Sequence, residues 1–227
     1  MISRTAKTVV TCADVPGVRN FRDAGGVGSL RRGALYRSGA LHALSPEGAR
    51  VLKDLRLRTV IDLRARTEMT ERPDRCKGLD VEACHHPVFV EKYWPDDQVA
   101  LYPYMAEQAG PAVVAVIRRL IAPGALPALI HCASGKDRTG LVIALIQTLL
   151  DASEAQITED FLCSNAALNL TGPPADTVSG HGTRPVTATH LLHAMIWIRS
   201  NHGSPSGYLK AYGASDAELE ALRTMLT

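Results

Sequence analysis

Cys132 and Arg138 are separated by the five residues Ala133-Ser134-Gly135-Lys136-Asp137 and followed by Thr139-Gly140. A thiolate is a strong nucleophile, and a guanidinium presents a planar fork that holds two oxygens of a phosphoryl group at once. Gly135 permits a backbone turn with positive φ. A loop closing over a helix start turns several backbone N–H groups onto one point, beside the positive end of the helix dipole. A cysteine beneath such donors is favoured as its thiolate. This pattern describes phosphoryl transfer through a phosphocysteine. Cys132 is the nucleophile, and the backbone of Ala133, Ser134, Gly135 and Lys136 with the Arg138 fork holds the oxygens. Thr139 places a hydroxyl near the sulfur. The competing reading is an inert cysteine buried in a strand-to-helix turn.

The elements around this loop can be read from patterning. Leu126 to Ile130 suits a short buried strand, and Leu141 to Leu150 a buried helix. Ser45-Pro46-Glu47 is a helix start, with Val51, Leu52 and Leu55 as its apolar stripe. Ala34 to Arg37, Thr59 to Leu63 and Val81 to Pro87 read as strands. Gln98–Gln108 and Pro111–Ile121 read as two helices, and Ser153 with Gln156 forms a capping box for a helix towards Leu168. Residues 187–201, 204–212 and 215–226 read as three further helices. Strands alternating with helices predict an α/β protein, a central mainly parallel sheet with helices on both faces, as one domain over residues 1–227.

His131 to Gly140 resembles the signature loop of the protein tyrosine phosphatase superfamily, in particular the bacterial and fungal branch with Lys-Asp before the arginine. Asn20-Phe21-Arg22-Asp23-Ala24-Gly25-Gly26, Leu35-Tyr36-Arg37-Ser38-Gly39, Val60-Ile61-Asp62-Leu63-Arg64 with Glu68, and Glu159-Asp160-Phe161-Leu162 with Asn165 resemble segments of that branch in the same order. The resemblance implies a three-layer cysteine-phosphatase fold with extra C-terminal helices. Members of the branch act on phosphotyrosine, phosphoserine/threonine and phosphoinositides. It places Asn20–Gly26 near the loop, where Arg22 and Asp23 brace it. Lys136 brings charge to the site mouth, and Arg22 and Arg64 join the candidate substrate-binding residues.

Ester cleavage needs an acid to protonate the leaving oxygen, and two candidates compete. Asp137 is carried by the loop, as in the matching branch. Tyr93-Trp94-Pro95-Asp96-Asp97 resembles the mobile Trp-Pro-Asp loop of the tyrosine-specific enzymes, which nominates Asp96, or Asp97. Asp137 is preferred. Asp62 lies at the carboxyl end of a strand, where α/β sheets bind ligands. It is either a catalytic or supporting carboxylate there or the cap of a helical segment near Thr67. Arg64 and Glu68 are expected to pair at the strand exit. Residues 171–186 are rich in glycine and proline, and His181 and Arg184 could reach substrate from that loop. A helical lid, expected of the lipid-active relatives, is not legible there, which speaks against phosphoinositides.

Composition narrows the function. The 227 residues carry a formal charge of +2, 46% hydrophobic and 21% charged residues, which gives no reason to expect nucleic acid as a partner. The longest apolar run is too short to span a bilayer. Five cysteines at irregular spacing argue against a disulfide framework, and the chain reads as cytoplasmic. Cys76, Cys84, His85 and His86 do not make a tetrahedral metal set, because neighbours on a strand face opposite ways. No metal and no cofactor are expected. The expected partners are a phosphorylated protein, lipid or small metabolite, and inorganic phosphate or sulfate in the loop. A dedicated phosphatase for a small metabolite, such as a phosphorylated sugar or nucleotide, is the alternative. Less favoured is a non-catalytic phosphate-binding module.

Overall fold

The computed structural model describes residues 14–91, 94–170 and 183–227. Cys12 with the N-terminal segment, Tyr93, His181 and most of the 171–186 loop lie outside the described residues. Five strands, β1 (Arg22–Asp23), β2 (Leu35–Ser38), β3 (Thr59–Asp62), β4 (Glu82–His85) and β5 (Ala128–His131), form one sheet in the order β1-β2-β5-β3-β4. β1 runs antiparallel to β2, and the other pairings are parallel. The strand that leads into Cys132 is therefore central, with Ser38 and Asp62 both in register with His131.

Side chains alternate across these strands and so serve two cores. Leu35, Ile61, Ala128 and Ile130 face α3 (Gln98–Leu120), α4 (Asp137–Leu149), α5 (Glu154–Ala167), α6 (Ala188–His202), α7 (Pro205–Ala211) and α8 (Asp216–Leu226). Tyr36, Val60 and Leu129 face a smaller cluster built on Val15, Phe21, Leu41 and Leu52, the last from α1 (Pro46–Asp54). A short helix, α2 (Arg66–Glu71), follows β3. This is the expected three-layer arrangement, with extra helices at the C-terminal end. None of the described helices is long and apolar enough to cross a membrane.

One expectation is corrected. Gln98 to Leu120 is one helix, with Pro103 and Pro111 inside it. Each internal proline costs about 3 kcal/mol, but Leu101, Met105, Val113, Val116, Ile117 and Leu120 are buried along one continuous stripe. At about 1.5–3 kcal/mol for each large apolar side chain, that burial outweighs two local breaks. The strand expected within Val81–Pro87 joins the sheet as β4, at one edge, with Glu82 and Ala83 exposed.

β1, β2 and α5 are locked together by charge. Arg22 Nε lies 3.1 Å from Asp160 Oδ1 and Arg37 Nη1 lies 2.7 Å from Asp160 Oδ2, with both arginines fully buried. Burial by itself would raise the Asp160 carboxyl, but Arg37 and Arg22 outweigh it and hold it below the usual carboxylate range. Stability from this pairing is thus present above the unfolded carboxyl value of about 3.9 and is lost as pH falls through the lower folded value. Asp160→Asn leaves two buried cations short of their partner. It is expected to lower the unfolding free energy by about 3–5 kcal/mol at neutral pH, read by denaturant titration, with the gap from wild type narrowing below about pH 4. An equally stable variant would show that the pairing contributes nothing net.

Candidate active site

β5 delivers His131 and Cys132 to the carboxyl edge of the sheet, and α4 begins at Asp137. The loop between them is held from outside by its carbonyls. Ala133 O accepts from Ala40 N at 3.1 Å, Ser134 O from Asn20 Nδ2 at 3.0 Å, and Gly135 O from Arg37 Nη2 at 3.0 Å. With the carbonyls tied outward, the backbone N–H groups face the opposite way, as in an anion nest. Those of Ala133, Ser134, Gly135, Asp137 and Arg138 donate to no acceptor among the described residues. Gly135 has φ +70°, and a Cβ there would stand 2.2 Å from Ser38 C. No other residue fits that position without moving β2. Cys132 is buried at the start of the loop, within electrostatic reach of Arg37, Lys136 and Arg138.

Arg138 is clamped rather than free. Its Nη1 and Nη2 lie 2.5 and 2.9 Å from the two carboxylate oxygens of Glu68, and its guanidinium carbon stands 5.3 Å from the centre of the Trp94 ring. Burial alone would weaken the charge, but Glu68 and Cys132 more than offset it, so the guanidinium holds its proton above the ordinary arginine value. Glu68 also accepts from Ala65 N at 2.9 Å, fixing the start of α2.

The expected Arg64–Glu68 pair is therefore corrected. Arg64 Nη2 lies 2.7 Å from Asp62 Oδ2 and 2.8 Å from Asp74 Oδ2, while Nη1 donates to Arg72 O at 2.8 Å. Its fork is thus engaged by two carboxylates and a backbone carbonyl. Asp62 does not cap a helix: it anchors Arg64, and Ala65 occupies the cap position. His131 completes this knot, with Nε2 3.1 Å from Asp74 Oδ2. Asp62, Asp74 and His131 have a spacing that would suit a metal ion, but Arg64 supplies the cation there. The Arg22 guanidinium is fully buried on Asp160, Asn20 and Ser164, and Asn20 in turn holds the loop at Ser134 O.

The acid candidates separate. Asp137 Oδ1 accepts from Tyr102 Oη at 2.7 Å. Burial and the neighbouring Asp137 push the Tyr102 phenol well above its ordinary value, which keeps it a donor at neutral pH. His190 stacks on the other side of Tyr102 at 5.3 Å between ring centres. Asp96 is exposed, and its backbone carbonyl rather than its carboxylate meets Arg184, at 2.8 Å. Asp97 caps α3 by accepting from Val99 N. Lys136 is not at the mouth. It is buried, donates to the Arg184 carbonyl and lies 3.8 Å from Asp137 Oδ2. Burial lowers its ammonium from the ordinary lysine value, with Asp137 and Cys132 opposing. Thr139 Oγ1 is buried and has no hydrogen-bond partner among the described residues.

Residues 13–227 match the family model described as the tyrosine phosphatase family. The chain belongs to the tyrosine phosphatase family. It is 28% identical to the triple specificity protein phosphatase PtpB of Mycobacterium tuberculosis, with 94% of this chain and 98% of that one covered. A tyrosine-protein phosphatase of Nostoc commune is 25% identical over 85% of this chain and 74% of its own length. Among solved structures, TpbA of P. aeruginosa, crystallised in complex with pTyr, is similar at a TM-score of 0.51 and 17% identity, covering 93% of this chain and 100% of that one. This last likeness is one of fold. The chain is a cysteine-based phosphatase that hydrolyses phosphate monoesters.

Sequence reasoning missed Tyr102, whose apolar helical spacing hides a donor, and the use of Glu68. Glu68 stood in the matched segment, but which arginine it meets depends on the fold. In this phosphatase, Glu68→Gln removes the charge from a paired hydrogen bond worth about 1.5–3 kcal/mol. A fall in kcat/KM of about 10–100-fold on an aryl phosphate is expected. Unchanged kinetics would mean that Trp94 and the loop hold Arg138 without it.

Proposed function

We propose that this chain dephosphorylates phosphotyrosine and phosphoserine/threonine in proteins, with Cys132 as nucleophile and Asp137 as general acid and base. Cys132 Sγ attacks phosphorus in line, and the P–O ester bond breaks. The leaving oxygen takes a proton from Asp137. The loop amides and the Arg138 fork hold the remaining phosphoryl oxygens, and Thr139 Oγ1 donates to the sulfur. A water then gives a proton to Asp137 and attacks the phosphocysteine; the S–P bond breaks and inorganic phosphate leaves. Electrostatic stabilisation comes from Arg138 and the amides, so no metal ion is required.

One observation carries this assignment: five amides of one loop without an acceptor among the described residues, with its carbonyls tied outward, share the site with buried Cys132 and clamped Arg138. For the acid, support comes from the Tyr102–Asp137 bond; Asp96 points its carbonyl, not its carboxylate, into the site's contacts. The relatives named as protein phosphatases favour a protein substrate over a dedicated small metabolite. The same reading treats residues 1–227 as one catalytic domain, supported by the large core that draws on three strands and all helices from α3 to α8. It places the enzyme in the cytoplasm, supported by Cys76, Cys84 and Cys132 forming no disulfide among the described residues.

The test is hydrolysis of a panel of phosphate esters in the presence of a chelator. Turnover of phosphotyrosine and phosphoserine peptides is expected, abolished in Cys132→Ser and reduced about 10²–10⁴-fold in Asp137→Asn. If Asp96→Asn rather than Asp137→Asn causes that loss, the acid is misassigned, and activity surviving in Cys132→Ser overturns the mechanism. Tyr102→Phe provides a separate check on the positioning of Asp137. It is expected to slow alkyl esters, whose leaving groups need the proton, by about tenfold more than aryl esters with good leaving groups. An equal effect on both would assign Tyr102 a purely structural role.

A further inference from the structure

Tyr102 reaches Asp137 from α3, and two rings fix where its phenol points. Phe161 meets it edge-on at 6.0 Å between ring centres, and His190 lies flat against it at 5.3 Å with the planes 14° apart. Phe161 is held by the core, whereas His190 is held by the start of its own helix. Thr187 N donates to His190 Nδ1 at 3.1 Å, while His190 N donates to Thr187 O at 3.1 Å. The residues just before Thr187 are tied down in turn. Val186 N donates to Asn165 Oδ1 at 2.8 Å, Asn165 Nδ2 donates to Val186 O at 2.7 Å, and Gln98 Nε2 donates to Pro185 O at 3.2 Å. The segment that anchors the imidazole is thus fixed to both α5 and α3.

We propose that His190 is a positioning residue for the reaction: its neutral imidazole, anchored at Nδ1, holds the Tyr102 hydroxyl against the general acid Asp137. The proposal rests on the assignment of Asp137 as that acid. An imidazole nitrogen that accepts a hydrogen bond carries no proton, so the anchored ring has its proton on Nε2. A second proton would turn an Nδ1–H towards the Thr187 N–H and push the ring off its seat. The groups around it act in both directions. Burial has the largest influence and holds the imidazole below its ordinary value; Lys136 at the start of α4 and His193 on α6 push the same way, while Asp137 on α4 and Asp97 at the start of α3 oppose them. Tyr102, the remaining titratable neighbour, stays a neutral phenol. Because the folded value lies below the unfolded one, the anchored arrangement is fully supported above about pH 6.5 and weakens as pH falls from there towards the folded value.

The experiment measures kcat/KM on an alkyl and an aryl phosphate from about pH 5 to 8, the range that spans histidine titration. It compares the wild type, His190→Gln, His190→Phe and the double variant Tyr102→Phe/His190→Gln. Glutamine at this helix position keeps an acceptor for Thr187 N but no ring; phenylalanine keeps a ring but neither acceptor nor titration. His190→Gln is expected to slow the alkyl ester about fivefold more than the aryl ester at neutral pH. Its gap from the wild type is expected to close below about pH 6.5, where the wild-type imidazole begins to take up its proton. His190→Phe is expected to recover most of the alkyl-ester rate. In the Tyr102→Phe background, His190→Gln is expected to add no further selectivity, because the ring acts through that hydroxyl. Equal slowing of both esters, a gap independent of pH, or additive effects of the two substitutions each overturn the role of His190. Independently of any variant, the nitrogen NMR shifts of the wild-type imidazole are expected to show the Nε2–H form at neutral pH, and an Nδ1–H form or an imidazolium there overturns the proposal as well. If Asp137→Asn leaves the alkyl ester untouched, the acid assignment itself falls; if Asp137→Asn slows it while His190→Gln treats both esters alike, only the role of His190 is lost.

Discussion

The loop at residues 132–138 can present its amides to an oxyanion only because its carbonyls are occupied elsewhere. Asn20 and Arg37 take two of them and the backbone of Ala40 a third. Asn20 and Arg37 are in turn fixed by charge: Arg22 grips Asn20, and Arg22 and Arg37 share Asp160. The backbone conformation at the site is therefore set by a buried carboxylate on α5. Buried charges are costly unless paired, and here the pairing holds a strand, a hairpin partner and a helix in one register around the loop.

A second charged knot lies on the other side of β5. Asp62, Arg64, Asp74 and His131 cluster beneath the site, with Arg64 paired to both carboxylates and His131 Nε2 3.1 Å from Asp74 Oδ2. This frees Glu68, one turn further on, to meet Arg138. With Trp94 against the other side of the guanidinium, the fork is oriented before any substrate arrives, which lowers the entropy that binding must supply. Of the arginines near the loop, Arg22, Arg37 and Arg64 pair with carboxylates outside it, and Arg138 pairs with Glu68.

The general acid candidate shows how a residue acquires a role from its neighbours. Asp137 starts α4 and would be an ordinary first-turn carboxylate. Tyr102, from the middle of α3, crosses to it and holds one of its oxygens. The path of α3 past Pro103 and Pro111 decides whether that phenol arrives. Had the helix broken at either proline, Tyr102 would belong to a different packing arrangement.

The amino-acid sequence by itself determined the signature loop, the strand before it and the helix after it. It also determined the Ser153–Gln156 capping box, the three C-terminal helices and the α/β class. These are local properties: periodicity, capping chemistry and a reactive residue spacing are all written within a few turns of chain. It did not determine partners. It paired Arg64 with Glu68, whereas the fold gives Arg64 to Asp62 and Asp74, and Arg22 had the same chemistry as Arg138. Only the packing of β3, β5 and α2 against the loop assigned Glu68 to Arg138, and only the uninterrupted burial of α3 brought Tyr102 to Asp137. Long-range pairing depends on which apolar surfaces meet, and each choice is worth more than the local preference it overrides.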